Sequence, residues 1–194
     1  MTEGNRIIRE CMKTLREVST NDQGDIMVDS DIVVINYDDV AIEHAKLKRY
    51  PPALASNDAL FFDNSGSITF VEFKNGQFKA RELHEKSRES VLMALDLNLA
   101  KSLKEIQSTA TYILVYNPAN VFRKRTDSQE LTTIFGRIQT NALATVLKDK
   151  LSPQRWLFKD TYAFTSNEFL EYIDNICIAT ELPSVCIQKT YGEA

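Results

Sequence analysis

The stretch Ser56 to Gly76, SNDALFFDNSGSITFVEFKNG, constrains the fold more than any other part of the chain. Two runs rich in Phe, Ile, Val and Thr, Ala59 to Phe62 and Ser67 to Lys74, flank Asp63-Asn64-Ser65-Gly66, residue types that tolerate tight turns. The pattern predicts a β-hairpin. With Asn64 to Gly66 as its loop, Asp63 faces Ser67, Phe62 faces Ile68, Leu60 faces Phe70, Asp58 faces Glu72 and Ser56 faces Lys74. Side chains alternate along a strand, so one face carries Asp58, Leu60, Phe62, Ile68, Phe70, Glu72 and Lys74, and the other Ala59, Phe61, Val71 and Phe73. Both faces are largely apolar, which suits a central strand pair covered on both sides. The charges therefore lie at one end of a covered hairpin.

Directly opposed residues on a sheet have Cβ atoms roughly 4.5 to 5.5 Å apart, and like charges so placed repel. A hard divalent cation gives such a carboxylate pair a reason to exist. Mg²⁺ is held by one or two carboxylates and keeps its other positions for water and phosphate oxygens. Lys74, two residues beyond Glu72 on the same face and about 6 to 7 Å along the strand, brings an ammonium to the same point.

Asn57-Asp58, a hairpin and then Glu72-Phe73-Lys74 resemble the PD-(D/E)XK nuclease superfamily, over a core from Asp58 to Tyr116. Asn57 stands where a proline often precedes the aspartate. The resemblance implies an α/β, restriction-endonuclease-like fold: a mixed central β-sheet with an αβββαβ core flanked by helices. It implies that Asp58 and Glu72 bind a catalytic Mg²⁺, with Mn²⁺ as a substitute, that the backbone carbonyl of Phe73 adds a ligand, and that Lys74 assists the attacking water. Many members also use an acidic residue on an upstream helix, for which Glu10 and Glu17 are the candidates. Two other readings stay open: Glu72 and Lys74 as solvated charges at a strand end, and a nuclease fold that has lost catalysis.

The remaining composition narrows the alternatives. A chain of 194 residues can bury one substantial core, so residues 1–194 are expected to form one domain. The 43% hydrophobic and 26% charged content is that of a folded protein rather than a disordered one. No apolar run approaches the ~20 residues needed to span a bilayer, and no signal-peptide apolar core is present, so the expected location is the cytoplasm, without membrane contact. Cys11, Cys177 and Cys186 are odd in number and lack C-x-x-C spacing, which supports neither a disulfide framework nor a zinc knuckle. His44 and His84 form no H-E-x-x-H pair, and the glycines form neither G-x-G-x-x-G nor G-x-x-x-x-G-K.

The net charge of −4 argues against a uniformly basic nucleic-acid binder, but its distribution is uneven. Residues 121–159 carry 8 Lys/Arg against 3 Asp/Glu, starting with Arg123-Lys124-Arg125, while residues 1–75 carry 8 against 13 and residues 160–194 carry 1 against 6. This segment reads either as a patch that meets phosphates or as a solvated loop and helix face.

Elsewhere the pattern predicts an amphipathic helix over 4–19, from Ile7, Ile8, Cys11, Met12, Leu15 and Val18, and a polar loop over 21–30. Ile32-Val33-Val34-Ile35 predicts the first core strand, and residues 38–50 a helix ended by Pro51-Pro52. Asn75-Gly76 marks a turn, and Arg81 to Leu99 a helix with an apolar stripe through Leu83, Ser87, Val91, Ala94, Leu95 and Asn98. Near its start, Lys86 and Ser90 lie one turn apart and have two readings. They point towards the metal site, as polar residues of this helix do in some nuclease relatives, or Lys86 pairs with Glu82, which its spacing favours. Thr111 to Tyr116 predicts a central strand, Gln129 to Leu147 a helix, and Trp156 to Phe164 a later strand. Thr165 to Glu168 forms a capping box before a helix through Phe169, Leu170, Ile173 and Cys177.

The expected function is a metal-dependent nuclease hydrolysing phosphodiester bonds in nucleic acid, DNA before RNA, with Lys86, Arg123, Lys124 and Arg125 as substrate contacts. The alternative is an inactive nuclease-fold protein that binds nucleic acid or a protein partner. Homodimers are common among nucleases that cut two strands, although no stretch of this chain reads as an interface.

Overall fold

A computed structural model of the chain describes residues 3–49, 53–121, 147, 149–176 and 178. Its centre is the hairpin of β3 (Ala59–Phe62) and β4 (Ile68–Lys74), in the register expected from the sequence: Ala59 faces Val71, Leu60 faces Phe70, Phe61 faces Thr69 and Phe62 faces Ile68. The loop is closed by Asp63, whose Oδ1 accepts from the backbone N–H of Ser65 and of Ser67 at 2.8 and 2.9 Å. Gly66 follows with φ of +82°, a left-handed conformation that glycine adopts without a Cβ clash. A one-residue slip would move Glu72 onto the face of Phe61 and Phe73. Burying each large apolar side chain is worth roughly 1.5 to 3 kcal/mol, so the two apolar faces hold the register firmly.

The hairpin lies inside a six-stranded sheet of order β1-β2-β3-β4-β5-β6, completed by β1 (Met12–Thr14), β2 (Val33–Asn36), β5 (Thr111–Tyr116) and β6 (Asp160–Phe164). Strands β1 to β4 pair antiparallel, and β4-β5 and β5-β6 pair parallel, so β4 is where the two halves of a mixed sheet meet. A parallel return needs a crossover, and α4 (Ala80–Asp96) with α5 (Leu103–Thr109) supplies it between β4 and β5. These two helices pack on one sheet face together with α1 (Glu3–Glu10) and α3 (Tyr37–Lys48), burying Leu60, Phe62, Ile68 and Phe70 among Ile8, Val40, Leu83 and Met93. The other face buries Ala59, Phe61, Val71 and Phe73 against Leu15, Val28 and the helix Ser166–Asn175 through Phe169 and Ile173. Among the described residues no helix is long and apolar enough to cross a membrane.

The sequence pattern and the fold part company at three places. The helix expected over 4–19 is instead α1, the edge strand β1 and the short helix α2 (Leu15–Val18). Ile7, Ile8 and Cys11 are buried on one face of the sheet and Leu15 on the other, and one continuous helix cannot serve both. Thr14 and Glu17 form a complete capping box at the restart, a signal present in the sequence. Second, the helix expected over 38–50 is formed, as α3, capped by the Asn36 side chain on the Asp39 N–H, but it stands between the first and second strands of the expected αβββαβ core. Third, the strand expected from Trp156 begins only at Asp160, because Gln154–Leu157 is a helical turn that leaves Trp156 on the surface. The capping box at Thr165 and Glu168 is formed as expected. Pro51-Pro52, Cys177, Cys186 and the helix expected over 129–147, apart from its last residue, lie outside the described residues.

Candidate functional site

Asp58 stands one residue before β3, and Glu72 and Lys74 occupy the last turns of side-chain alternation in β4, so the hairpin delivers all three to one end of the sheet. Lys86 reaches the same point from the second turn of α4, which packs over that face. Its Nζ lies 2.9 Å from Asp58 Oδ1 and 2.9 Å from Glu72 Oε1, while Lys74 Nζ lies 2.6 Å from the same Glu72 Oε1. Two carboxylates and two ammonium groups thus converge, and Glu72 is fully buried at 0% side-chain exposure.

The carboxylates are held from behind by the backbone and by amides. The Phe73 N–H donates to Asp58 Oδ2 at 2.6 Å, and the Asn57 side-chain amide donates to Glu72 Oε2 at 3.2 Å. Asp58 itself is fixed through its chain: its carbonyl accepts from the Tyr37 N–H, and the preceding Asn57 N–H donates to Ser90 Oγ at 2.7 Å. Tyr37 is buried, stands edge-on to Phe70 and donates its hydroxyl to the Ser90 carbonyl at 3.1 Å, so β2, β3 and α4 are pinned around the site. His44, buried on α3, is 2.6 Å from Asp96 Oδ2 at the end of α4 and ties the same two helices together.

Burial decides the electrostatics of Glu72. Desolvation, followed by the facing Asp58 charge, pushes its pKa up to about 6 against the pull of Lys86 and Lys74. For Lys86 burial acts in the opposite sense, and the charges of Glu72 and Asp58 outweigh it, leaving the ammonium harder to deprotonate than an ordinary lysine. Glu72 Oε1 receives its lysine contacts outside good hydrogen-bond geometry, and Asn57 Oδ1 also lacks a hydrogen-bond partner, both being buried. Glu72 Oε1 is balanced by both ammonium groups, whereas the buried Asn57 Oδ1 is left without a donor, which is costly.

Of the residues singled out in the sequence, Asp58, Glu72, Lys74 and Lys86 come together. Lys86 does not pair with Glu82, whose contact is Lys79 at 3.6 Å. A fully buried Glu72 needs a countercharge, and a surface i,i+4 pair worth roughly 0.2 to 0.5 kcal/mol cannot compete with that demand. The Phe73 side chain packs on the opposite face against Phe169, while its N–H points at Asp58. Because N–H and C=O of one strand residue leave on the same edge, its carbonyl is directed to the Asp58 side. Glu10 and Glu17 do not reach the site: Glu10 pairs with Arg6, and Glu17 caps Thr14. The acidic residue near Asp58 is Asp38, at the start of α3, bonded to Ser56 Oγ. Desolvation raises its pKa, the Ser56 bond lowers it, and the Asp58 charge raises it further. Arg123, Lys124 and Arg125 lie outside the described residues.

Sequence reasoning missed Asn57, Ser90 in its actual role, and Asp38. Asn57 precedes the strand, where alternation no longer fixes direction, and Asp38 is brought in by the α3 insertion. The helix expected over 38–50 already placed Asp38 in a first helical turn, but helical spacing does not say that this turn packs beside Asp58.

Two carboxylates with a carbonyl directed beside them match the donor set of a hard cation such as Mg²⁺, which fills its remaining positions with water. No group of three or more His, Cys, Asp and Glu side chains suited to a metal occurs among the described residues. Comparison of the chain with protein-family models, with curated proteins and with solved structures finds no match.

Proposed function

We propose that this chain is a metal-dependent phosphodiesterase of the PD-(D/E)XK type, cutting DNA in preference to RNA. The observation that carries this reading is the convergence of Asp58 and Glu72, from neighbouring strands of a mixed sheet, with Lys74 two residues beyond Glu72 on the same face. The order of the core strands, with a helix crossing between β4 and β5, supports it.

Asp58, Glu72 and the Phe73 carbonyl would hold Mg²⁺ or Mn²⁺. When bound, the cation supplies charge neutralisation on the phosphate and a more acidic water. Glu72 keeps the ligand set rigid, because its buried carboxylate is fixed by the Asn57 amide. Lys74, with 23% of its side chain exposed, can reach a water or a phosphate oxygen at the site mouth, orient it and offset the charge that builds on it. Asp38 adds acidic character on the α3 side.

The test is cleavage of labelled single-stranded DNA, duplex DNA and RNA with Mg²⁺, Mn²⁺ or EDTA, alongside Glu72→Ala and Lys74→Ala. Cleavage of DNA that needs metal and is lost in both variants is the expected result. Cutting by Glu72→Ala at the parent rate would remove the assignment.

A second reading is favoured by one observation: the two ammonium groups already balance the two carboxylates. On this reading the chain is an inactive nuclease-fold protein that binds nucleic acid or a protein partner. Its signature is nucleic-acid binding that weakens steeply with salt and is reduced by neutralising Arg123, Lys124 and Arg125, without metal-dependent turnover.

A further inference from the structure

Lys86 contacts both carboxylates through the oxygens that face each other, Asp58 Oδ1 and Glu72 Oε1, at equal distances of 2.9 Å. Lys74 contacts only Glu72. The two lysines therefore differ: Lys74 stands beside the pair, and Lys86 bridges it. A divalent ion held by both Asp58 and Glu72 needs the position between them, which the bridging Lys86 ammonium occupies, whereas Lys74 touches Glu72 Oε1 alone and leaves Asp58 Oδ1 open.

We propose that Lys86 is the resident counter-cation of the Asp58–Glu72 pair and that a divalent metal binds only by displacing it, so that Lys86 sets the metal affinity of the site. The inference rests on the metal-dependent reading above and concerns a residue on α4, outside the Glu-x-Lys motif. Burial supplies its first support. Glu72 is fully buried, and without a countercharge an isolated ionised carboxylate there would be strongly unfavourable. In the metal-free protein Lys86 meets that need, which is why it forgoes Glu82.

The second support is mobility built into the side chain. Lys86 is 26% exposed and ends a four-carbon stem, so its ammonium has a path to water without movement of α4. Asp58 and Glu72 are in contrast held by the Phe73 N–H and the Asn57 amide, which do not depend on Lys86. Displacement thus leaves the ligand set in place. A metal sees only the fraction of molecules in which Lys86 has swung away, and its apparent affinity is reduced by that fraction. The same exchange selects against monovalent cations, which offer the carboxylates no more charge than the lysine already does.

The experiment is equilibrium Mn²⁺ binding to the full chain at fixed pH, read by the electron paramagnetic resonance of free Mn²⁺. Parent, Lys86→Met, Lys86→Gln, Lys74→Met and Glu72→Gln are compared, each checked by circular dichroism. Lys86→Met and Lys86→Gln are expected to bind at least about tenfold more tightly than the parent, Lys74→Met to change less, and Glu72→Gln to lose binding. If the parent binds Mn²⁺, Glu72→Gln does not, and both Lys86 variants bind no more tightly than the parent, the displacement idea is overturned while the metal reading stands. Absence of Mn²⁺ binding in every protein overturns both. Should the Lys86 variants fail to fold, Mg²⁺ titration of the parent followed through the Lys86 side-chain NMR signals decides. Movement to free-lysine positions on binding supports displacement, and unchanged signals on binding overturn it.

Discussion

A buried carboxylate flanked by two lysines sets up a contest whose outcome fixes the sign of a pH effect. If burial wins, Glu72 binds its proton more tightly in the folded chain than in the unfolded one; if the lysines win, it binds it less tightly. Here burial prevails, with the pKa moved from 4.5 to about 6, which corresponds to about 2 kcal/mol. Below pH 4.5 the side chain is protonated in both states and exerts no pH dependence. Between 4.5 and about 6 the unfolded chain releases the proton that the folded chain keeps, so stability falls as pH rises. Above about 6 the full cost remains. Other carboxylates follow the opposite course, as Asp96 does with its pKa lowered by bonds to Lys48 and His44, so the parent curve alone is not diagnostic. The difference between parent and Glu72→Gln isolates the effect, since Lys86 does not titrate in this range. Urea unfolding in EDTA from pH 4.5 to 8 should show the parent losing about 2 kcal/mol relative to the variant as pH rises. Circular dichroism is the suitable probe, because the one tryptophan, Trp156, is 65% exposed and senses unfolding weakly. A flat difference, or a parent that gains on the variant towards pH 8, would refute the dominance of burial over the lysines.

Three further outcomes follow from the same geometry. Ser90→Ala leaves the buried Asn57 N–H without its acceptor and should cost about 1 to 3 kcal/mol in urea unfolding; on the proposed nuclease reading it should also reduce cleavage, because Asp58 is the next residue. Gly66→Ala forces a Cβ into a φ of +82° and should cost about 1 kcal/mol; an unchanged midpoint would show that the loop relaxes. Cys11 is buried, and desolvation first, then the charges of Asp39 and Glu43, push its thiol up to about 11. In a Cys177→Ser, Cys186→Ser background it should therefore react with a thiol reagent at pH 8 far more slowly in the folded chain than in urea, and fast labelling of the folded chain would contradict its burial.

The candidate site was legible in the sequence to the extent that it is local. Hairpin register follows from a period of two, two apolar faces and an Asp-Asn-Ser-Gly loop, so Asp58, Glu72 and Lys74 could be placed at one end of a strand pair without any tertiary information. Capping boxes at Thr14 and Thr165 rest on residues three positions apart and were equally readable, although the first was obscured by an apolar spacing that also fits a long helix. The helix after β4 was evident from its stripe, but not the direction in which its polar residues point.

What the chain's own sequence determined was therefore the paired strands, their faces and the carboxylates at their end, because side-chain alternation and turn chemistry act between near neighbours. Tertiary structure decided the rest. Leu15 belongs to the opposite sheet face from Ile8, which breaks the first helix and turns Met12–Thr14 into an edge strand. Lys86 joins Asp58 and Glu72, Ser90 anchors Asn57, and the insertion of α3 brings Asp38 alongside. The break of the first helix follows from apolar burial on two faces, and the placing of Lys86 and Ser90 from the cost of burying an unpaired charge or polar group, several kcal/mol for a carboxylate, against the few tenths offered by spacing along a helix. That cost exists only once β3, β4 and α4 have closed over the same carboxylates.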